Sequence, residues 1–123
     1  MANLFLSLDG RIGRGQFWLG FVGLLIMSIA LQILFTMLGF STQIDPLTGE
    51  LPEGFAIALF VPMLITLWPS ICVYGKRYHD RNKSAWWMMI AFVPIIGIIW
   101  MIIELGFLRG TEGSNHYGSD PLA

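Results

Sequence analysis

Hydrophobic positions in this chain fall into long uncharged runs rather than into amphipathic stripes. Residues 17–40 and 55–74 contain no Asp, Glu, Lys or Arg, and residues 85–108 contain only Glu104. At ~1.5 Å per residue, runs of this length reach ~30–36 Å as helices, enough to cross a hydrocarbon core of ~30 Å. The pattern predicts an all-α integral membrane protein with three transmembrane helices over 17–40, 55–74 and 85–108. A cleaved signal peptide does not fit the first run, because its apolar region would be only ~7–15 residues and would end at a small-x-small site.

The polar segments between the runs complete a single membrane domain over 1–123. Residues 1–16 place Leu4, Phe5 and Leu6 before a stretch with three glycines in six positions, which argues against a stable helix at 10–15. They are expected to form a short interfacial arm, with Arg11 and Arg14 turned to lipid phosphates. Residues 41–54 contain Asp45, Glu50 and Glu53 with Asp-Pro, Thr-Gly and Pro-Glu-Gly turn signals. Residues 75–84 read as a basic cytoplasmic loop, and 109–123 as a polar Gly- and Ser-rich tail. Pro62 and Pro69 fall inside the second run and predict a kinked or locally loosened helix. Ser84 is placed to cap the third run, and Trp86 and Trp87 to join an interfacial aromatic belt.

Composition agrees with a lipid solvent. The 123 residues are 55% hydrophobic and 12% charged, with a mean hydropathy of +0.68, whereas soluble domains carry about 25% charged residues. The net charge of −1 says nothing as a total, but position does. Three crossings put Arg11, Arg14, Lys76, Arg77, Arg81 and Lys83 on one side and Arg109 alone on the other. The positive-inside rule makes the first side cytoplasmic, with the N-terminus inside and the C-terminus outside. Pro94-Ile95-Ile96-Gly97 offers one alternative, a re-entrant break that would return the tail to the cytoplasm, although the run is too short for two full crossings.

Candidate chemistry is sparse. Cys72 is the one cysteine, so no disulfide forms within the chain. Ser28, Gln32 and Thr36 share a helical face, which suits either a helix–helix contact or the lining of a solute path. Glu104 lies ~30 Å along a helix from Ser84 and is expected at the far interface, paired with Arg109; an ion or proton site is the sharper alternative. His79-Asp80 is the one pair that could serve catalysis, since a carboxylate can orient an imidazole. The other histidine, His116, falls across the membrane in this topology. Asp80 is therefore expected to pair with Arg77 or Arg81, or to cap the turn. No known metal-ligand, nucleophile-elbow or phosphate-loop pattern occurs, and the reading calls for no catalytic residue, metal or cofactor.

Three segments together carry a resemblance. Gly10-Arg11, Arg14 and Phe17-Trp18 open it; Arg77, His79, Asp80, Ser84, Trp86 and Trp87 form its centre; Gly110-Thr111, Gly113, Asn115, Tyr117-Gly118 and Asp120-Pro121 close it. With these the chain resembles the bacterial family called domain of unknown function 805, the YhaH-like inner membrane proteins, over essentially its whole length. Lys76, Tyr78 and Ala85 depart from the family pattern of Arg, Leu and Gly, and Lys76 keeps the charge without the bidentate fork. The resemblance implies a multi-pass protein of the bacterial inner membrane and no particular activity.

The expected function is a non-enzymatic structural or interaction protein. Its candidate ligand- or lipid-binding residues are Arg11, Arg14, Lys76, Arg77, His79, Asp80 and Arg81. Expected partners are anionic headgroups of the bilayer and a second copy or another membrane protein, with no nucleic acid. A small transporter or channel subunit using Gln32 and Glu104 is the alternative, and a membrane-embedded enzyme using His79-Asp80 the third.

Overall fold

The computed structural model describes residues 2–121; Met1, Leu122 and Ala123, the outermost residues of the arm and tail, lie outside the described residues. Among the described residues four α-helices follow in order: α1 (Ala2–Leu6), α2 (Arg14–Met37), α3 (Phe55–Asp80) and α4 (Ile96–Gly106), with a 3-10 helix at Ala85–Phe92 before α4. Among the described residues there is no strand, only an isolated bridge between Asn115 and Gly118 in the tail. α2 and α3 are long and apolar enough to cross a membrane, and α4 is a shorter apolar helix.

α2 starts inside the stretch expected as a non-helical arm: it begins at Arg14, three residues before the predicted span, with Gly15 in its first turn. The Gln16 side chain reaches back to accept from the Gly13 amide (3.3 Å), satisfying one of the donors a helix start leaves open. α3 runs unbroken through Pro62 and Pro69. Near those prolines the Thr66 and Ser70 hydroxyls donate to carbonyls of their own helix, Pro62 (3.1 Å) and Thr66 (2.8 Å). Gly20 lets the two long helices meet, since a Cβ there would lie 2.9 Å from Val73 Cγ1.

Two more expectations are corrected here. Residues 75–80 are not loop: α3 continues through them, and Lys76, Arg77, Tyr78, His79 and Asp80 are all buried. Charged residues normally end an apolar helix, but Arg77 and Asp80 turn inward to partners more than 20 residues away. The 85–108 run is not one helix. Ser84 does cap its start, accepting from the Trp86 amide (3.3 Å), yet the element it caps is the 3-10 helix. The chain then reverses at Pro94-Ile95, with Ile95 at φ 64°, a conformation that a β-branched residue rarely adopts. The returning α4 lies so close to the 3-10 helix that a Cβ on Gly97 would overlap the Ile90 carbonyl oxygen. Hydropathy could not show this break, because both arms of the hairpin are strongly apolar.

The hairpin brings the tail back to the end of α3. The core is concentrated there: Leu4, Ile12, Phe17, Leu24, Val73, Tyr78 and Leu105, with Trp18, Met88 and Met101 packed against it. α1 joins this half as well, with the Phe5 ring over Gly23 and the Leu6 carbonyl accepting from the Trp68 indole (3.0 Å). Beyond Leu24 no residue of α2 is buried, and before Cys72 only Ala58 and Pro62 of α3 are.

Candidate functional site

α4 ends with carbonyl groups that have no partner within the helix. Here four consecutive ones receive side-chain donors from elsewhere in the chain. Arg77 Nε donates to Leu105 O (2.6 Å), Trp18 Nε1 to Gly106 O (3.0 Å), Arg14 Nη1 to Phe107 O (3.0 Å) and Arg77 Nη2 to Leu108 O (2.5 Å). The negative end of a helix dipole is a favourable place for guanidinium groups, and more so when they are shielded from water. Arg77 is fully buried.

The remaining Nη1 of Arg77 donates to Asp80 Oδ2, one turn away on α3. Arg11 takes the other carboxylate oxygen: its Nη2 lies 2.9 Å from Oδ1, and its Nε donates to the same atom (3.1 Å). Two guanidiniums thus bracket one buried carboxylate. The surplus positive charge is spread over backbone oxygens. Arg11 also donates to Thr111 O (2.5 Å), Gly113 O (2.6 Å) and Gly118 O (3.2 Å), so the tail wraps its planar fork. A lysine has no such in-plane set of donors.

The tail is shaped for this embrace. Gly110 passes so close to Asp80 that a Cβ would overlap Oδ2. The Thr111 amide donates to Asp80 O (2.7 Å), and the Asn115 side chain donates to His79 O (2.8 Å). Gly113 turns at φ 70° and its amide donates to Asp120 Oδ2 (3.0 Å), which closes the tail loop on itself. The Tyr117 ring stacks on His79 with centroids 4.0 Å apart and planes 3° from parallel.

His79 makes its second tie to the arm. Its Nδ1 lies 3.0 Å from Gly10 O; a carbonyl only accepts, so Nδ1 carries the proton. The reversal after α3 is held by the Asn82 amide to His79 O (2.9 Å) and the Lys83 amide to Tyr78 O (2.9 Å), with Asn82 at φ 60°. Asparagine tolerates that left-handed conformation.

Several sequence-predicted residues therefore meet, but not in the expected roles. Arg11 is buried inside a knot that it forms with Arg77, His79, Asp80 and the tail, rather than turned to phosphates, while Arg14 is exposed. Asp80 pairs with Arg77, as expected, and with Arg11, which sequence reasoning did not connect to it. Arg81 instead meets Glu104, Nε to Oε1 at 3.2 Å, and donates to Arg109 O (2.6 Å). Lys83 Nζ donates to the same Glu104 oxygen and sits 4.7 Å from the Trp87 ring centroid. Glu104 is thus brought back to the basic end, and its expected partner Arg109 pairs with Glu112 (2.9 Å). His116 also lies at this end, its amide donating to Asn82 Oδ1 (3.2 Å). Lys76 is buried as well.

Gln32 and Glu104 do not come together. Gln32 is half-buried on the far half of α2, Ser28 and Thr36 are exposed, and the Thr36 hydroxyl donates to Gln32 O (2.8 Å) in its own helix. Among the described residues no group of three or more His, Cys, Asp or Glu is placed to hold a metal ion. Among the same residues two buried side-chain polar atoms have no hydrogen-bond partner, the Tyr78 hydroxyl and Glu104 Oε2. At the opposite end, the exposed Asp45 carboxylate is held below its usual range, chiefly by the Leu47 amide that it accepts from (2.8 Å).

Comparison with known proteins gives one family. A family model described as a protein of unknown function (DUF805) matches residues 5–119. The uncharacterized protein YiiR of Escherichia coli K12 is 33% identical, covering 93% of this chain and 85% of its own. The inner membrane proteins YhaH and YhaI of the same organism are 32% and 30% identical, each across 95% of this chain and 88% and 87% of their own. No solved structure is significantly similar.

Proposed function

The chain belongs to the DUF805 family, and from that premise we propose that it is a non-enzymatic architectural protein of the inner membrane. In this reading α2 and α3 span the bilayer, the hairpin from Ala85 to Gly106 enters the cytoplasmic leaflet without crossing it, and both termini are cytoplasmic. The relatives named inner membrane proteins support the location. Charge supports the orientation: all seven Lys and Arg lie at the knot end, against none in the 38–54 connection.

The observation that carries the functional reading is where the polar groups of the knot are directed. Arg11, Arg77, His79 and Asp80 engage one another, the arm and the tail. A group committed to several buried partners is poorly placed to bind and turn over a substrate. Lipid tails are as apolar as leucine, so helix packing gains little from apolar burial alone, and hydrogen bonds between segments gain importance. The knot is the lock that holds arm, α3, α4 and tail in one body.

What the knot leaves accessible is a basic rim. Arg14 is exposed, the Arg109 side chain is 64% exposed, and those of Lys83 and Arg81 are 29% and 22% exposed. Each cation near a charged leaflet is worth about 1 kcal/mol of attraction. The rim is accordingly assigned to anionic headgroups. Native mass spectrometry of protein released from mixed anionic and zwitterionic bilayers tests this. The expected result is preferential retention of anionic lipid that falls in the variant carrying Arg14→Gln and Arg109→Gln. Equal retention of both lipid classes by the wild type would refute the assignment.

A further inference from the structure

The protein's two halves differ in cross-section. Among the described residues the acidic-loop end holds only α2, α3 and the 38–54 connection that joins them, and few helix residues there are buried. At the basic end three more elements are packed against the same pair. The 3-10 helix starts beside Gly75, where a Cβ would lie 3.1 Å from Ala85 Cβ and 3.6 Å from Met88 Cε, and α4 returns to Trp18. α1 crosses at Gly20, Gly23 and Trp68. Those positions are ~9, ~14 and ~18 Å along the helices from Arg14 or Asp80, inside the basic half of spans ~36–39 Å long.

The reach of the hairpin matches one leaflet. Eight 3-10 residues at ~2.0 Å and eleven α-helical residues at ~1.5 Å each extend ~16 Å, half of a ~30 Å hydrocarbon core. Its outer surface is apolar: Trp86 (79%), Phe92 (78%), Ile95 (72%) and Ile96 (73%) are the most exposed. No Asp, Glu, Lys or Arg lies between Ala85 and Ile103. Such a surface has acyl chains as its fitting partner, and its length confines it to the leaflet that the knot faces.

We propose that the protein is a wedge that responds to membrane curvature. It displaces the area of five elements from the cytoplasmic leaflet and of two from the other, so it favours membrane whose knot-side leaflet is expanded and convex. The proposal rests on the re-entrant reading above. A rigid wedge transmits this preference only if the hairpin cannot swing away, and the capping of α4 carbonyls by Arg77, Trp18 and Arg14 provides that rigidity.

The test is reconstitution of Leu47→Cys and Glu112→Cys variants into vesicles ranging from large extruded to small sonicated ones, followed by labelling with a membrane-impermeant thiol reagent. Leu47 is 94% exposed and Cys72 is buried, so the introduced thiol gives the signal. The fraction of the Glu112→Cys protein labelled from outside is expected to rise above one half as diameter falls. That of the Leu47→Cys protein should fall in mirror image. A triple variant, Trp86→Ala, Phe92→Ala and Ile96→Ala, removes bulk from side chains that make little contact within the chain, and it should flatten the dependence while keeping the two labels on opposite faces. Labelled fractions independent of diameter, with the labels still opposite, would overturn the wedge and leave the topology intact. Both labels on one face would overturn the re-entrant reading and the wedge with it.

Discussion

Replacing Arg11 is the most informative single perturbation of the knot. Arg11→Lys keeps a cation for Asp80 but cannot reproduce contacts to Asp80, Thr111, Gly113 and Gly118 at once. Losing two tail carbonyls at about 1 kcal/mol each costs ~2 kcal/mol. Arg11→Ala removes the charge too; orphaning a buried partner costs ~3–5 kcal/mol, and Arg77 still pairs with Asp80, so the low end, about 3 kcal/mol, applies. At 1.4 kcal/mol per factor of ten, these costs raise the population with an open tail ~30-fold and more than ~100-fold. Cleavage by chymotrypsin after Tyr117, stacked on His79 in the closed state, follows that population when opening is fast. In nanodiscs the release of the terminal fragment should accelerate in the order wild type, Arg11→Lys, Arg11→Ala. Rates within about twofold of wild type for both variants would refute the idea that Arg11 ties down the tail.

Two more outcomes depend on particular groups. Tyr78→Phe removes a buried hydroxyl that has no hydrogen-bond partner among the described residues, so the substitution should leave the melting temperature in nanodiscs unchanged or slightly raised; a marked fall would mean that the hydroxyl has a partner. The Asp45 carboxylate is stabilised in its charged form by the Leu47 amide, so its contribution to loop order is present above the ordinary aspartate pKa of about 3.9 and is lost as pH falls below it. Amide exchange at Leu47, corrected for intrinsic rates, should therefore speed up on acidification in the wild type, and Asp45→Asn should remove most of that change.

The long uncharged runs were legible because they depend only on local hydropathy, and the Ser84 cap because a cap is a local hydrogen bond. The knot was not. Arg11 lies 69 residues from Asp80 and 100 or more from the tail carbonyls it binds, and no local rule distinguishes a buried guanidinium from one facing phosphate. The extension of α3 to Asp80 was hidden for the same reason, since Arg77 reads as a loop residue until Leu105 O and Leu108 O are placed beside it. Two signals were present: Gly110, which only a close approach requires, and Pro94-Ile95-Ile96-Gly97 in an otherwise uniform run. The motif residues resembling the family pattern had more specificity than orientation needs. Arg77, His79, Asp80, Asn115 and Tyr117 acquire structural explanations from the knot, whereas exposed Trp86 does not acquire one within the chain.

The proposed architecture stands on tail and arm lying on one face of the membrane, joined by the knot, with the Asp45–Glu53 connection on the other. A dual phosphatase–fluorescent reporter fused after residue 123, expressed in a bacterial inner membrane, tests that placement directly. A fluorescent, phosphatase-inactive and hence cytoplasmic C-terminus is expected; an active phosphatase there would contradict the re-entrant topology.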